Sequence, residues 1–329
     1  MSNLLRRVLL VTLLGVLLYG LFVVYTGVHE MGASLAQFRG GAFWLALALA
    51  SFNYLLRFGK WQYYLARLDI RGIPAIDSLL VFLSGFVLTI TPGKVGEVFK
   101  SAVLAKTHGV AVERTASIVI ADRLTDVIGI VVLILVGSAT FPDGRLWASL
   151  GAGAVALALV FILWQPPALW LCDRLERRRG NLSRFVPKLR HALSSLRVLA
   201  RPRSLVVPAL LSVLAWGAEG TALYVLLGGF GQSVSLSLAV VVYASATLAG
   251  ALIPVPGGLG VVESLLREGL LGFGHVTLGA ATASMILVRL ATLWWAVLVG
   301  FLALLILRWR FPAALAEPPR PDAVQSGIS

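Results

Sequence analysis

From Val8 to Val28 the chain reads VLLVTLLGVLLYGLFVVYTGV, a run without a single charged side chain. Coiled as an α-helix, such a run measures about 30 Å, the thickness of the hydrocarbon layer of a bilayer. Five further largely apolar runs follow: Ala42 to Phe58, Thr115 to Ala139, Leu146 to Gln165, Ser204 to Leu227 and Leu278 to Leu307. Backbone polar groups find no water in lipid, so a crossing segment must satisfy them internally. The runs are rich in Leu, Val and Ala without the strict alternation of barrel strands, which predicts helices. The first run has a basic tip and no small-x-small cleavage site, so it reads as a retained span rather than a signal peptide. The expected fold class is an all-α polytopic membrane protein.

Two more apolar stretches, Ala75 to Ala105 and Leu236 to Gly272, are interrupted at their centres by Pro-Gly clusters, TPGKVGE and IPVPGGLGVVE. The charge distribution decides how they run. If each stretch crossed once, the ten Lys and Arg between Asp173 and Arg203 would lie opposite the basic N-terminus and the Arg57 to Arg71 loop. That conflicts with the retention of Lys and Arg on the cytoplasmic side. If each stretch enters, turns at its cluster and leaves by the same face, the conflict disappears. Arg39, Arg145 and Arg267 then lie outside, and Lys94, Lys100, Arg123 and Arg289 lie at membrane depth. The expectation is six crossing helices plus two re-entrant hairpins, eight apolar segments in all, with both termini cytoplasmic. The net charge of +13 then reflects sidedness and anionic headgroups, and excludes nucleic acid as the natural partner. Cys172 is the single cysteine and the four histidines are scattered, which leaves no disulfide and no metal-ligand spacing.

Each half of the chain reads as span, span, interrupted hairpin, span. Three crossings per half put the second on the opposite side, which is an inverted-topology repeat. PGKVGEV parallels PGGLGVVE, and Glu97 and Glu263 are each followed 26 residues later by an arginine, Arg123 and Arg289. The transmembrane domain is expected over 1–310, with half 1 at about 5–140 and half 2 at about 145–310. A basic cytoplasmic insertion covers 173–203, read either as an interfacial helix or as a solvated loop. The Pro-rich tail 311–329 is expected to be disordered.

Pro92, Gly93 and Gly96 would form the first turn, and Pro256, Gly257, Gly258 and Gly260 the second, because Pro suits the start of a half-helix and Gly lets the backbone bend. Each following half-helix aims its N–H groups at the membrane interior, and with Lys94, Lys100, Arg123 and Arg289 nearby this suits a phosphate. Glu97, Glu263, Asp122 and Asp126 could receive a cationic group of the same lipid, or carry protons. Equally, Glu97 could only complement a helix dipole, and the Glu–Arg pairs could only clamp hairpins to helices. Asn53 and Arg57 could anchor phosphate, although Arg57 with Lys60 also fits a snorkelling boundary. Glu219 stands isolated in its span.

In order, NYLLRFGKWQYYL, TPGKVGEVFKSAVL, ADRLTDVIGI, PVPGGLGVVESLL and LVRLATLWW resemble the lysylphosphatidylglycerol synthase transmembrane-domain family, the flippase-like integral membrane proteins. The resemblance implies movement of a lipid between leaflets, with Arg57, Glu97, Arg123, Asp126, Glu263 and Arg289 as functional residues. It also implies a stand-alone member, since only a short tail follows the last span where bifunctional members carry a soluble synthase. The expected function is translocation of a phosphate-bearing or zwitterionic lipid across the cytoplasmic membrane. Its lipid partners would be anionic phospholipid, aminoacylated phospholipid or isoprenoid-linked lipid, and a lipid-synthesis enzyme could join them. The alternatives are an accessory protein that presents lipid to a membrane-associated transferase, and an intramembrane transferase using Asp122, Asp126 or Glu97 as base. The small extramembrane loops argue against the last, so no enzymatic activity and no cofactor is expected. No nucleotide-binding loop occurs in the sequence.

Overall fold

The computed structural model describes residues 34–91, 96–140, 202–253 and 255–315, together with Gly20, Gly153, Arg174, Pro187, Val198 and Leu199; the side chains of Glu97, Pro202, Arg203 and Leu315 are outside that description. The expected spans Val8 to Val28 and Leu146 to Gln165, nearly all of the insertion 173–203, the tail beyond Leu315, and Pro92, Gly93 and Lys94 of the first turn lie outside the described residues.

Every regular element among the described residues is helical. Helix α1 is Gly41–Arg67, α2 is Ala75–Ser84 continued by a 3-10 turn at Gly85–Leu88, α3 is Gly96–His108 and α4 is Val112–Ser138. Then come α5 (Pro202–Gly229), α6 (Leu236–Leu252), a 3-10 turn at Pro256–Gly258 and α7 (Val261–Gly272). Last are α8 (Leu278–Arg289), a π-helical segment Leu290–Trp294, α9 (Trp295–Arg310) and the single turn α10 (Pro312–Leu315). Gly41–Arg67, Ser204–Gly229 and the continuous Leu278–Arg310 are long and apolar enough to cross a membrane. Helix α4 is as long as α1, but Asp122, Arg123 and Asp126 interrupt its apolar character at the centre. The protein is thus an all-helical membrane protein with several apolar helices. Large apolar side chains such as Trp44, Leu55, Val136, Leu210 and Leu252 are exposed on the outside, where lipid and not water is their natural solvent.

Helix α1 does not stop at Phe58 as the apolar run suggests. Asn53, Tyr54, Lys60, Trp61 and Tyr64 form one continuous buried face, and Arg67 in the last turn suits a helix C-terminus. This face lies along α5, with Lys60 beside Ser212 at one end and Phe38 and Ala42 beside Gly229 at the other, so the two helices run antiparallel.

The interrupted stretches fold as two helical hairpins, α2–α3 and α6–α7. In the first, the arms meet at glycine: a Cβ on Gly85 would lie 2.8 Å from the Gly96 carbonyl oxygen. In the second, a Cβ on Gly258 would lie 2.8 Å from Val262 Cγ2, and Gly257, Gly258 and Gly260 all have positive φ, at 59°, 68° and 84°. Three left-handed residues in one turn explain its glycines. The hairpins are held reciprocally, α2 against α9 and α6 against α4, each resting on the helix that follows the other hairpin. Their tips meet: Gly257 lies against Ile90, and Ile90 packs with Leu293, Val297 and Leu259. One apolar cluster surrounds each hairpin, the first including Trp61, Phe82, Phe86 and Leu104, the second Leu238, Val262, Leu266 and Met285.

Helices α4 and α5 approach closely at Gly129 of α4, where a Cβ would fall 2.7 Å from Ser212 Cβ and 2.9 Å from Val213 N. Replacing Gly129 by Ala forces α4 and α5 apart and is expected to cost about 1–3 kcal/mol. Thermal unfolding of the detergent-solubilised protein should show it. Gly228→Ala, where nothing lies within 4 Å, should leave the midpoint unchanged.

Candidate functional site

The charged centre is assembled by three helices. Lys60 of α1 is fully buried and its Nζ lies 2.6 Å from Asp126 Oδ1, 2.8 Å from Asp122 Oδ1 and 2.8 Å from Ser212 Oγ of α5. Ser212 in turn donates to Asp126 Oδ1 at 3.1 Å. Asp122 and Asp126 are one turn apart on α4 and therefore share a face. Helix α4 is further fixed against α1 by Tyr64, whose hydroxyl lies 3.0 Å from Thr125 Oγ1. An ammonium shared between two carboxylates, with its remaining donor on a hydroxyl, satisfies its hydrogen-bonding capacity and can exist away from water.

The second oxygen of each carboxylate faces guanidinium groups. Arg57 Nη2 is 3.7 Å from both Asp122 Oδ2 and Asp126 Oδ2, and Arg123 Nη1 is 3.9 Å from Asp126 Oδ2. These separations exceed hydrogen-bond length, so the attraction is through space. The tight contacts to the two aspartates are those of Lys60.

Beyond the arginines lies a cavity of about 80 Å³, lined by Arg57, Phe82, Gly85, Phe86, Thr89, Gly96, Lys100, Arg123 and Trp216. Three cations, from α1, α3 and α4, thus converge on one small space. Aromatic rings steer two of them. The Arg57 guanidinium sits 5.7 Å from the Phe86 ring and 5.8 Å from the Trp216 ring. Lys100 Nζ is 4.9 Å from the Trp61 ring and 5.3 Å from the Phe82 ring. Among the described side chains the centre holds Arg57, Lys60, Lys100 and Arg123 together with Asp122 and Asp126. The start of α3 at Gly96 borders the same space, where helix N–H groups favour an anion.

Glu263 and Arg289 meet at the other hairpin, 26 residues apart in sequence and 2.6 Å apart between Arg289 Nε and Glu263 Oε1. Glu263 Oε2 accepts from the Gly260 N–H at 2.7 Å, and Arg289 Nη2 donates to the Gly257 carbonyl at 2.7 Å. Both ends of the pair therefore hold the turn itself. Immediately after Arg289 the helix widens into the π segment, and the Thr292 carbonyl there accepts from the Tyr54 hydroxyl at 2.7 Å.

Of the residues singled out in the sequence, the structure brings Arg57, Lys100 and Arg123 to the cavity and sets Asp126 behind them against Lys60. It holds Glu263 and Arg289 together at the second turn. Lys94 and the Glu97 side chain lie outside the described residues. Two readings change. Lys60 is not a snorkelling boundary residue: α1 continues past it, and two aspartates at matching depth supply the counter-charge that water would otherwise give. Glu219 is not isolated, because it accepts a 2.6 Å hydrogen bond from the Tyr243 hydroxyl. The aromatic lining at Phe82, Phe86 and Trp216 has no signal in the sequence that separates it from ordinary packing. Lys60 carried a usable signal: an i, i+4 aspartate pair inside an apolar helix demands a cation, and Lys60 shares the α1 face of Asn53, Arg57 and Tyr64.

The profile of the family described as lysylphosphatidylglycerol synthase TM region matches residues 10–300. A UPF0104 membrane protein of Methanothermobacter thermautotrophicus is 26% identical over 230 residues, covering 64% of this chain and 68% of the relative. A second UPF0104 membrane protein, from Pyrococcus horikoshii, is 26% identical over 285 residues, covering 78% of this chain and 84% of the relative.

Proposed function

We propose that this chain, which belongs to the lysylphosphatidylglycerol synthase TM region family, translocates a phosphate-bearing lipid across the cytoplasmic membrane. The observation that carries the reading is the convergence of Arg57, Lys100 and Arg123 on one cavity of about 80 Å³. Arginine donates in a planar fork that matches phosphate oxygens, and lysine adds a point charge. The lipid's phosphate enters the cavity while its acyl or isoprenoid chains stay in the bilayer. Lys60 holds Asp122 and Asp126 together behind the cavity that Arg57 and Arg123 line.

The arrangement around the site is that of six crossings and two re-entrant hairpins within a domain over 1–310, both termini cytoplasmic. The charge distribution supports it, and so do the reciprocal packing of each hairpin on the other half and the contact of their tips at Ile90 and Gly257. Rocking of the two halves about this contact would open the cavity to one leaflet and then to the other.

Purified protein in vesicles holding NBD-labelled phosphatidylglycerol provides the test, with exchange read as label protected from dithionite. The wild type is expected to exchange the label well above protein-free vesicles. Arg57→Gln and Arg123→Gln each remove a charged donor and should slow exchange about 10- to 100-fold. Exchange no faster than in empty vesicles for this lipid and for its phosphatidylethanolamine and lysyl-phosphatidylglycerol counterparts would overturn the proposal, as would unchanged rates in both variants.

A further inference from the structure

One buried acid takes no part in the centre just described. Glu219 lies in the middle of α5, 6% exposed, and its hydrogen-bond partner is the Tyr243 hydroxyl of α6. That hydroxyl is also 3.4 Å from Thr292 Oγ1 in the π segment, whose carbonyl takes the Tyr54 bond. The contrast with the other interior acids is sharp. Asp122, Asp126 and Glu263 each have a cationic nitrogen within 2.8 Å, whereas among the described residues no basic nitrogen lies within ion-pair distance of Glu219. An ionised carboxylate deep in a membrane protein is costly without such a partner. A proton removes that cost, and the Tyr243 hydroxyl can hydrogen-bond the resulting acid.

The position of this group links it to the cavity. Trp216, which lines the cavity, precedes Glu219 by three residues on α5; Arg57, which also lines it, follows Tyr54 by three residues on α1. Because α1 and α5 run antiparallel, both steps lead in the same direction, about one helical turn away from the cavity. The titratable and charged groups facing Glu219 from the neighbouring helices are Tyr54 and Arg57 of α1, Asp126 of α4, Tyr243 of α6 and Arg289 of α8.

We infer that Glu219 is a proton-binding site coupled to the anion cavity, so that one proton is taken up from the aqueous phase with each phosphate-bearing headgroup and travels with it. An anion seated against Arg57 cancels the positive field that supports the ionised carboxylate one turn away, and the carboxylate takes a proton in response. The coupling is reciprocal, so protonation of Glu219 tightens anion binding. This rests on the anion reading of the cavity given above.

The test uses dihexanoyl-phosphatidylglycerol, a phosphodiester whose single charge does not change across the neutral range, added to detergent-solubilised full-length protein. A pH-indicator dye reads proton uptake and calorimetry reads binding. In the wild type, binding is expected to take up about one proton, and affinity should rise as pH falls, by up to about tenfold per pH unit. Glu219→Gln, isosteric with the neutral acid, should bind with a pH-independent affinity and take up none. Infrared spectra should show a neutral carboxyl band that this substitution removes. As a second variant, Tyr243→Phe keeps the carboxyl but deletes the donor that supports its ionised form. It should retain the uptake and move its half-point to higher pH.

Failure of the probe to bind at any pH would sink the anion reading of the cavity and the coupling with it. Binding without uptake, uptake unaltered by Glu219→Gln, or an unmoved half-point in Tyr243→Phe would overturn the coupling alone. Affinity that follows sodium concentration at constant pH would replace the proton with a metal cation and likewise overturn it.

Discussion

Lys60→Met is expected to destabilise the protein by about 3–5 kcal/mol, because it strips the shared ammonium from Asp122 and Asp126 and leaves two carboxylates facing each other in the interior. The buried lysine takes part in a 2.6 Å and a 2.8 Å ion pair and in a bond to Ser212. Methionine preserves the length of the side chain, so the loss is one of charge and hydrogen bonding rather than of volume. Arg57 and Arg123 cannot substitute without moving inwards from 3.7 and 3.9 Å, and doing so would withdraw them from the cavity. Partial rescue of folding should therefore come at the expense of ligand binding. The triple variant Lys60→Met, Asp122→Asn, Asp126→Asn removes the shared ammonium and both carboxylates together and should recover part of the stability, as buried ion pairs replaced together are often neutral. The measurement is the thermal midpoint of the solubilised protein by size-exclusion survival. A Lys60→Met variant with the wild-type midpoint would mean that water or lipid headgroup reaches the aspartates, and the centre would not be the dry scaffold described here.

The helical class and the apolar outside were legible because lipid leaves few ways to satisfy a backbone, and runs such as Ser204 to Leu227 or Leu278 to Leu307 record that constraint directly. The second turn was legible for a related reason. Gly257, Gly258 and Gly260 occupy conformations that other residues resist, so the cluster PGGLG announces a sharp reversal wherever it stands. The contact of Glu263 with Arg289 could be anticipated from the charges each carries at a depth where charge needs a partner. Other features depended on three-dimensional proximity between segments far apart in sequence. Lys60 sits 66 residues from Asp126, and in a sequence it is the kind of residue that closes a helix at the interface. Tyr243 looks like packing until Glu219 is placed 2.6 Å from it. The π segment has no compositional signal at all, since LATLW is ordinary helix sequence. Only the fold shows that the Thr292 carbonyl in this widened turn accepts a bond from Tyr54 of α1.

Glu263→Ala should release the second turn. The carboxylate supports the Gly260 N–H at the start of α7 and balances the Arg289 guanidinium, which itself holds the Gly257 carbonyl. Removing it leaves a buried cation with one neutral partner, and the expected loss is again about 3–5 kcal/mol. Arg289→Leu is the complementary test, because it strands Glu263 rather than the arginine. Glu263 keeps its bond to Gly260 in that case, as Arg289 keeps its bond to Gly257 in the other, so the two costs should be similar. The pair Glu263→Gln with Arg289→Gln can retain a neutral hydrogen bond and should fall between the single losses and the wild type; a double-mutant cycle on thermal stability gives the coupling. The functional consequence follows from the tips of the hairpins touching at Gly257 and Ile90. Loosening the second turn removes the surface against which the first arm of the other hairpin ends, and with it the register of Gly85, Phe86 and Thr89 at the cavity wall. Anion binding should therefore weaken in Glu263→Ala, although Glu263 does not line the cavity among the described residues. Alkyl-phosphate binding by calorimetry distinguishes the cases. Unchanged affinity in a folded Glu263→Ala protein would show that the two turns are mechanically independent, and the rocking motion would need another hinge.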